Sequence, residues 1–261
     1  MRQHNQFITH STNTPADLQA PGPELVGRHP GAVSREPVTD LLPPAAEEPP
    51  KPSLRGVSHH YAALVAAGAG IVLVAMAPTL TSAVAAAIYG LSLALLLGVS
   101  AVYHRPNWSS SARRWLRRAD HASIYILIAG SYTPICLLAL EPDVGRPLLQ
   151  GAWIFAIAGV LKELFWIGAP KPVTAIVFLA MGWVSVPYFP EVHASVGGVG
   201  ATLLAVGGLL YSLGAVVYAL KQPNPAPLVF GYHEIFHALV VAASALHFGV
   251  MVQLVRRAGL A

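Results

Sequence analysis

The sequence predicts an all-α, polytopic membrane protein: a seven-transmembrane-helix bundle preceded by a disordered N-terminal tail. Three observations carry this. Of 261 residues, 54% are hydrophobic and only 11% charged, with a mean hydropathy of +0.56, whereas a soluble domain carries about 25% charged residues. From His60 onward, apolar runs follow one another almost without pause, each near the roughly 20 residues a helix needs to cross a bilayer. Residues 1–56, by contrast, hold ten prolines, six acids and five bases with no sustained apolar period. Such a segment buries too little apolar surface to offset its ordering entropy. The expected division is therefore a Pro-rich cytoplasmic tail at 1–56 and a membrane domain at 57–257.

The runs fall near 60–78, 83–103, 119–140, 148–168, 172–189, 196–220 and 233–255. The breaks APTLTS, EPDVGRP, GAPKP, FPEVHASVGG and KQPNPAP supply the Pro, Gly and charge of short turns. The fifth run is cut short by Pro187 and Pro190. The first 30 residues lack an apolar core and a small-residue cleavage site, so the first span is expected to act as its own signal. Lys and Arg near the span ends set orientation. Lys51, Arg55, Arg105, Arg113, Arg114, Arg117, Arg118, Lys171 and Lys221 fall on one side, against Arg146, Arg256 and Arg257 on the other. The expected topology places the N-terminus in the cytoplasm and the C-terminus outside.

The net charge of +4 resides in loops, which speaks of membrane orientation and not of nucleic acid. The single cysteine, Cys136, excludes an internal disulfide and a multi-cysteine metal cluster. It sits in an apolar run and reads as packing. Any metal must be held by His or carboxylates.

Ionisable groups at membrane depth are functional candidates by default. His104 ends the second run, Asp120 and His121 open the third, and His233 and His237 open the seventh, all at expected cytoplasmic ends. Residues four apart share a helix face about 6 Å apart, so His233 and His237 can bind one ion together, with His104 as a third imidazole. Three neutral nitrogens and one open position make a catalytic zinc site. Asp120 could then orient the attacking water or take its proton, and Ser100, one turn before His104, could bond the ligands or the substrate. Bland readings stand beside these: interfacial histidines, and Asp120 as a helix N-cap next to Arg117 and Arg118.

His233 to His237 also spell HEIFH, the H-E-x-x-H of zinc proteases, in which the Glu is a general base. A protease needs a further ligand. The one later histidine, His247, lies ten residues on, about 15 Å along the helix, and reads as a cavity or packing residue. Glu234 is either a base or an interfacial carboxylate at a helix N-terminus. Lys162 and Glu163 are expected to pair or snorkel, and Gly130, Ser131, Thr133 and Pro134 to permit close packing or a kink.

SAVYH at 100–104, ADHASIYILIAGSYTP at 119–134 and HEIFHALVVAASALHF at 233–248 resemble the three signature blocks of the hemolysin III family. These are bacterial relatives of the adiponectin and progestin receptors (the PAQR group). LRGVSHHYAAL at 54–64 is similar to the start of the family's first span. The resemblance covers about residues 52–257 and leaves the tail unmatched. It implies a bacterial plasma-membrane protein of seven helices with Zn2+ near the cytoplasmic face. The ligands implied are His104, His233 and His237, with Asp120 on the zinc-bound water and Ser100 as the matching serine. The related receptors carry Gln after the first His of the pair, which demotes Glu234. The wider superfamily includes alkaline ceramidases, implying hydrolysis of a lipid amide, with membrane lipids as partners. Pore formation with cytolysis, and a non-catalytic regulator of lipid composition, are the alternatives.

Overall fold

The computed structural model describes residues 51–259; the tail expected to be disordered lies, up to residue 50, outside them. Among these residues there is no strand, only one isolated bridge between Ala226 and Phe230. The helices in chain order are α1 (Val57–Ala75), α2 (Leu80–His104), α3 (Ser110–Leu138), α4 (Pro142–Phe165), α5 (Lys171–Trp183), α6 (Phe189–Leu220) and α7 (Tyr232–Arg257).

Local chemistry sets the helix ends. Thr79 and Ser82 form a reciprocal capping box at α2, at 3.2 and 3.1 Å, which satisfies two backbone N–H groups left free by the first turn. Ser109 caps α3 through the Ala112 N–H at 3.3 Å. Pro stands in the first turn of α4, α5 and α6, where its missing N–H costs nothing. The third helix begins at Ser110 and not near 119 as expected. The polar stretch SSARRWLRR continues the helix below the apolar run, so Asp120 and His121 lie inside α3 instead of opening it.

Among the described residues, six helical stretches are long and apolar enough to cross a membrane, and the protein is multi-pass. The expected fifth and sixth spans fall within one 50-residue stretch, Lys171–Leu220. That stretch is interrupted by a 3-10 turn at Val186–Tyr188 and by Gly197, at φ 71° and ψ 176°. It doubles back on itself, because the Trp183 indole N–H donates to Ser212 Oγ at 3.0 Å.

Consecutive helices pack side by side from α1 to α4, and α6 packs on α7. The last helix also touches α1, α2 and α3, which brings the first and last helices together. Small residues allow close approach, as they do between membrane helices generally. Gly70 on α1 faces Gly90 on α2, where a Cβ would stand 3.1 to 3.3 Å from the opposite Cα. Gly130 on α3 meets Ser92 on α2, and Gly159 on α4 lies against the Tyr125 ring. Pro134 sits inside α3, while Ser131 and Thr133 bond back to the Leu127 and Ala129 carbonyls at 2.8 and 3.0 Å. Outward positions such as Leu64, Val65, Ile71, Leu80 and Phe165 are broadly exposed, the surface lipid tails cover.

Gly90→Val should force α1 away from α2 and lower the stability of the purified protein by about 1–3 kcal/mol. Gly68→Ala, where the added Cβ meets nothing within 4 Å, should not lower the thermal unfolding midpoint in detergent.

Candidate metal centre

The end of α2 and the first two turns of α7 meet at one level. His104, His233 and His237 are all buried, and one nitrogen from each lies within 4.8 Å of the others. His104 Nε2 and His233 Nε2 stand 3.1 Å apart, and the three ring centroids are separated by 4.5 to 5.0 Å. His237 Nδ1 is buried with no hydrogen-bond partner in the protein. A neutral imidazole has one donor and one acceptor nitrogen, so three packed together leave lone pairs unmatched at a desolvation cost. A cation bound by all three removes that cost. The donor set therefore fits a metal ion that accepts imidazole nitrogen.

Asp120 approaches from α3, its Oδ2 3.9 Å from His104 Nε2, and the Ser100 hydroxyl faces the Asp120 carboxylate. The N-cap reading of Asp120 does not hold, because Ser109 is the cap. Its neighbours Arg117 and Arg118 turn away to the end of α4, donating to the Ile167 and Leu164 carbonyls at 3.3 and 3.1 Å. Those carbonyls otherwise lack helix partners.

Glu234 is not available as a base. Its Oε2 accepts the Gly231 N–H at 2.8 Å, capping α7, and its Oε1 is paired with Arg55. The letters HEIFH thus encode two histidines of the cluster around a capping residue. His247 bonds the Leu204 carbonyl at 3.2 Å, far from the cluster. His121, adjacent to Asp120, pairs with Glu163 Oε2 at 3.3 Å, and Lys162 Nζ holds Glu163 Oε1 at 2.6 Å and Thr174 Oγ1 at 3.0 Å. Lys162 and Glu163 therefore pair, as expected, and tie α3, α4 and α5 together beside the site.

A cavity of about 510 Å³ runs from the cluster into the bundle. His59, Ser100, Asp120 and His233 line one end. Its walls are otherwise largely apolar, with Leu127, Ile128, Phe178, Phe189, Val192 and Leu204 among them, and His247 also contributes. Two features at this end escape sequence reasoning. Lys171 lies 4.4 Å over the Tyr218 ring and donates to the Tyr232 hydroxyl at 3.0 Å. His59 stacks on His237 with ring centroids 3.8 Å apart. The signal for His59 was the pair His59–His60 at the start of an apolar run, but only helix phase separates the buried ring from the exposed one.

The model of haemolysin-III related proteins matches residues 48–248, a range that holds every residue of the cluster. The chain belongs to the haemolysin-III related family. It is 32% identical over 195 residues to the hemolysin-3 homolog of Bacillus subtilis (strain 168), covering 74% of this chain and 88% of that protein. Hemolysin-3 of Bacillus cereus is 31% identical over 195 residues, covering 74% and 86%. The human monocyte to macrophage differentiation factor is 27% identical over 165 residues, covering 62% and 66%. The resemblance read from the three sequence blocks is thereby shown.

In this haemolysin-III related chain Glu163 is fully buried, and Lys162→Met should leave it badly compensated, at a cost of about 3–5 kcal/mol. Adding Glu163→Gln should recover most of that loss in a double-mutant cycle read by thermal unfolding.

Proposed function

We propose that this protein is a zinc-dependent hydrolase of lipid amides, ceramidase-like in chemistry, acting in membrane lipid homeostasis. The observation that carries the reading is three buried imidazoles with a carboxylate beside them, at a cavity with largely apolar walls. His104, His233 and His237 would hold the metal, and a nitrogen-only set with an open position suits zinc. Bound there, zinc supplies Lewis acidity that polarises a carbonyl and activates water. The chain's own residues do the rest. Asp120 orients the attacking water, takes its proton at a carboxylate oxygen and returns it to the amide nitrogen, which leaves as the amine when the C–N bond breaks. Ser100 fixes that carboxylate. Apolar walls bind the acyl chain and exclude bulk water, which strengthens the polar interactions at the head of the cavity.

The lining also bears on the alternative of a lytic pore, suggested by the names of the Bacillus relatives. A water-filled conduit needs polar lining along its length, and here most lining residues are apolar, with Ser131, Tyr132, Ser185, Tyr211, Ser212 and His247 lining it besides the polar groups at the cluster.

The reading includes seven crossings. A straight 50-residue helix would span about 75 Å, more than twice the hydrocarbon core. On this reading α5 and the residues up to Gly197 make one crossing, and the rest of α6 returns. The basic residues at the α2–α3 and α4–α5 turns support a cytoplasmic N-terminus, and with it a metal site toward the cytoplasmic side of a bacterial plasma membrane.

Purified wild type should contain about one zinc per chain, and His104→Ala and His237→Ala should lose it, by elemental analysis. Asp120→Asn should keep the zinc and lower hydrolysis of a long-chain N-acyl amide by about 10²–10⁴-fold. Metal-free wild type after supplementation, or full turnover by Asp120→Asn, would overturn the reading.

A further inference from the structure

The histidines of the cluster stand where helices are least firm. His104 is the last residue of α2, and His233 and His237 occupy the first two turns of α7. Helix ends lack part of their backbone hydrogen bonding and fray, yet ligands from two such ends must hold one ion in a fixed geometry. A third element has to register one end against the other.

One short stretch reaches the neighbourhood of all three ligands. Arg55, just ahead of α1, pairs with Glu234, the residue that follows His233 and accepts the Gly231 N–H at 2.8 Å. Glu234 is buried, so its carboxylate is shielded from the water that weakens surface ion pairs. Gly56 is the N-cap of α1 at φ 74° and ψ 2°, a left-handed conformation that glycine adopts without steric cost. It lies against the end of α2, where a Cβ on residue 56 would stand 2.7 Å from His104 Cβ. In the first turn of α1 the His59 ring stacks on the His237 ring, at 3.8 Å between centroids and an interplanar angle of 11°. The stretch is itself anchored from upstream. Ser53 and Leu54 donate main-chain hydrogen bonds to Leu228 and Val229, just ahead of α7, and Lys51 donates to the Pro106 carbonyl, just beyond His104.

Capping alone does not call for this arrangement. The Gly231 contact already caps α7, and the pairing with Arg55 adds a tie to another part of the chain. A glycine loses more conformational entropy on folding than other residues, and close approach to His104 is what it gains here. We propose that residues 55–59 are a positioning element of the metal site: Arg55, Gly56 and His59 hold the ends of α2 and α7 in the register that lets His104, His233 and His237 share one ion. The inference rests on reading these histidines as a metal site. Each of the three residues acts through a ligand or the ligand's neighbour and not by contact with the ion. Ligands ordered before the ion arrives bind it more tightly, and outer contacts that orient ligands are worth about 10–100-fold in metal affinity.

The test uses Co2+ as a spectroscopic stand-in for zinc, with full-length protein in detergent and chelator competition below the unfolding midpoint. Arg55→Met combined with Glu234→Gln removes the tie without leaving an unpaired charge near the ion, and the Gln carbonyl can still accept the Gly231 N–H. This double variant should bind Co2+ about tenfold more weakly than wild type. Gly56→Ala, which presses a methyl group onto His104, should weaken Co2+ similarly and shift its visible bands at saturation, because the ligand geometry changes. A merely structural role would lower the unfolding midpoint of the metal-free protein and leave the folded protein's affinity and bands as in wild type. Wild-type Co2+ affinity in either folded variant would therefore overturn the inference, and if one variant does not fold the other decides. Wild type that binds neither Co2+ nor Zn2+ would remove the metal reading and this inference with it. Wild type that binds Co2+ but hydrolyses no amide would sink the catalytic reading alone and leave the comparison of affinities standing.

Discussion

Everything at the histidine-cluster end of this bundle depends on one constraint: polar side chains removed from water must find partners in the protein or in what binds to it. The interior of a membrane protein offers little solvent rescue, so each buried group dictates where another helix must stand. The clustered imidazoles bring α2 and α7 to one point. The pairing of Glu163 with Lys162 and His121 joins α4 to α3, and Lys162 reaches Thr174 on α5. Arg117 and Arg118 close the end of α4 from α3. Shape here follows from satisfaction of polar groups, while the apolar surfaces supply close packing through facing glycines.

The same constraint explains what can be read without coordinates. Apolar runs are local, so helix positions were legible to within three residues for α1, α2 and α7, whereas α4 starts at Pro142, six residues before the apolar run, because the turn residues Pro142–Pro147 are already helical. The i, i+4 spacing of His233 and His237 is local too, and the depth of His104 and Asp120 follows from their places at run ends. The start of α3 was misjudged because polar residues can extend a helix past an apolar run once Ser109 caps it. The fifth and sixth runs were separable in sequence, but the short α5, a 3-10 turn and a single glycine at positive φ join them more closely than Pro187 and Pro190 suggested.

What stayed hidden was non-local. Glu234 looks like the base of a protease until Arg55, 179 positions away, is seen to hold it. His59 and His60 are indistinguishable in a string of letters, and only the phase of α1 against α7 stacks one on His237 and exposes the other. Lys171 reads as a loop cation, yet it lies over the Tyr218 ring. In each case the decisive neighbour comes from a distant helix.

The segment ahead of α1 has its own significance. Ser53 and Leu54 donate main-chain hydrogen bonds to Leu228 and Val229 at 3.0 and 3.3 Å, Lys51 reaches the Pro106 carbonyl at 2.9 Å, and Arg55 grips the residue that caps α7. The working unit therefore does not start where hydrophobicity starts. A few polar residues act as a clasp between the first and last helices, and a graft or chimera cut at the first apolar residue would sever it. Residues 51–55, ahead of the first apolar run, are held to the α2–α3 turn, the α6–α7 loop and the first turn of α7 by these bonds.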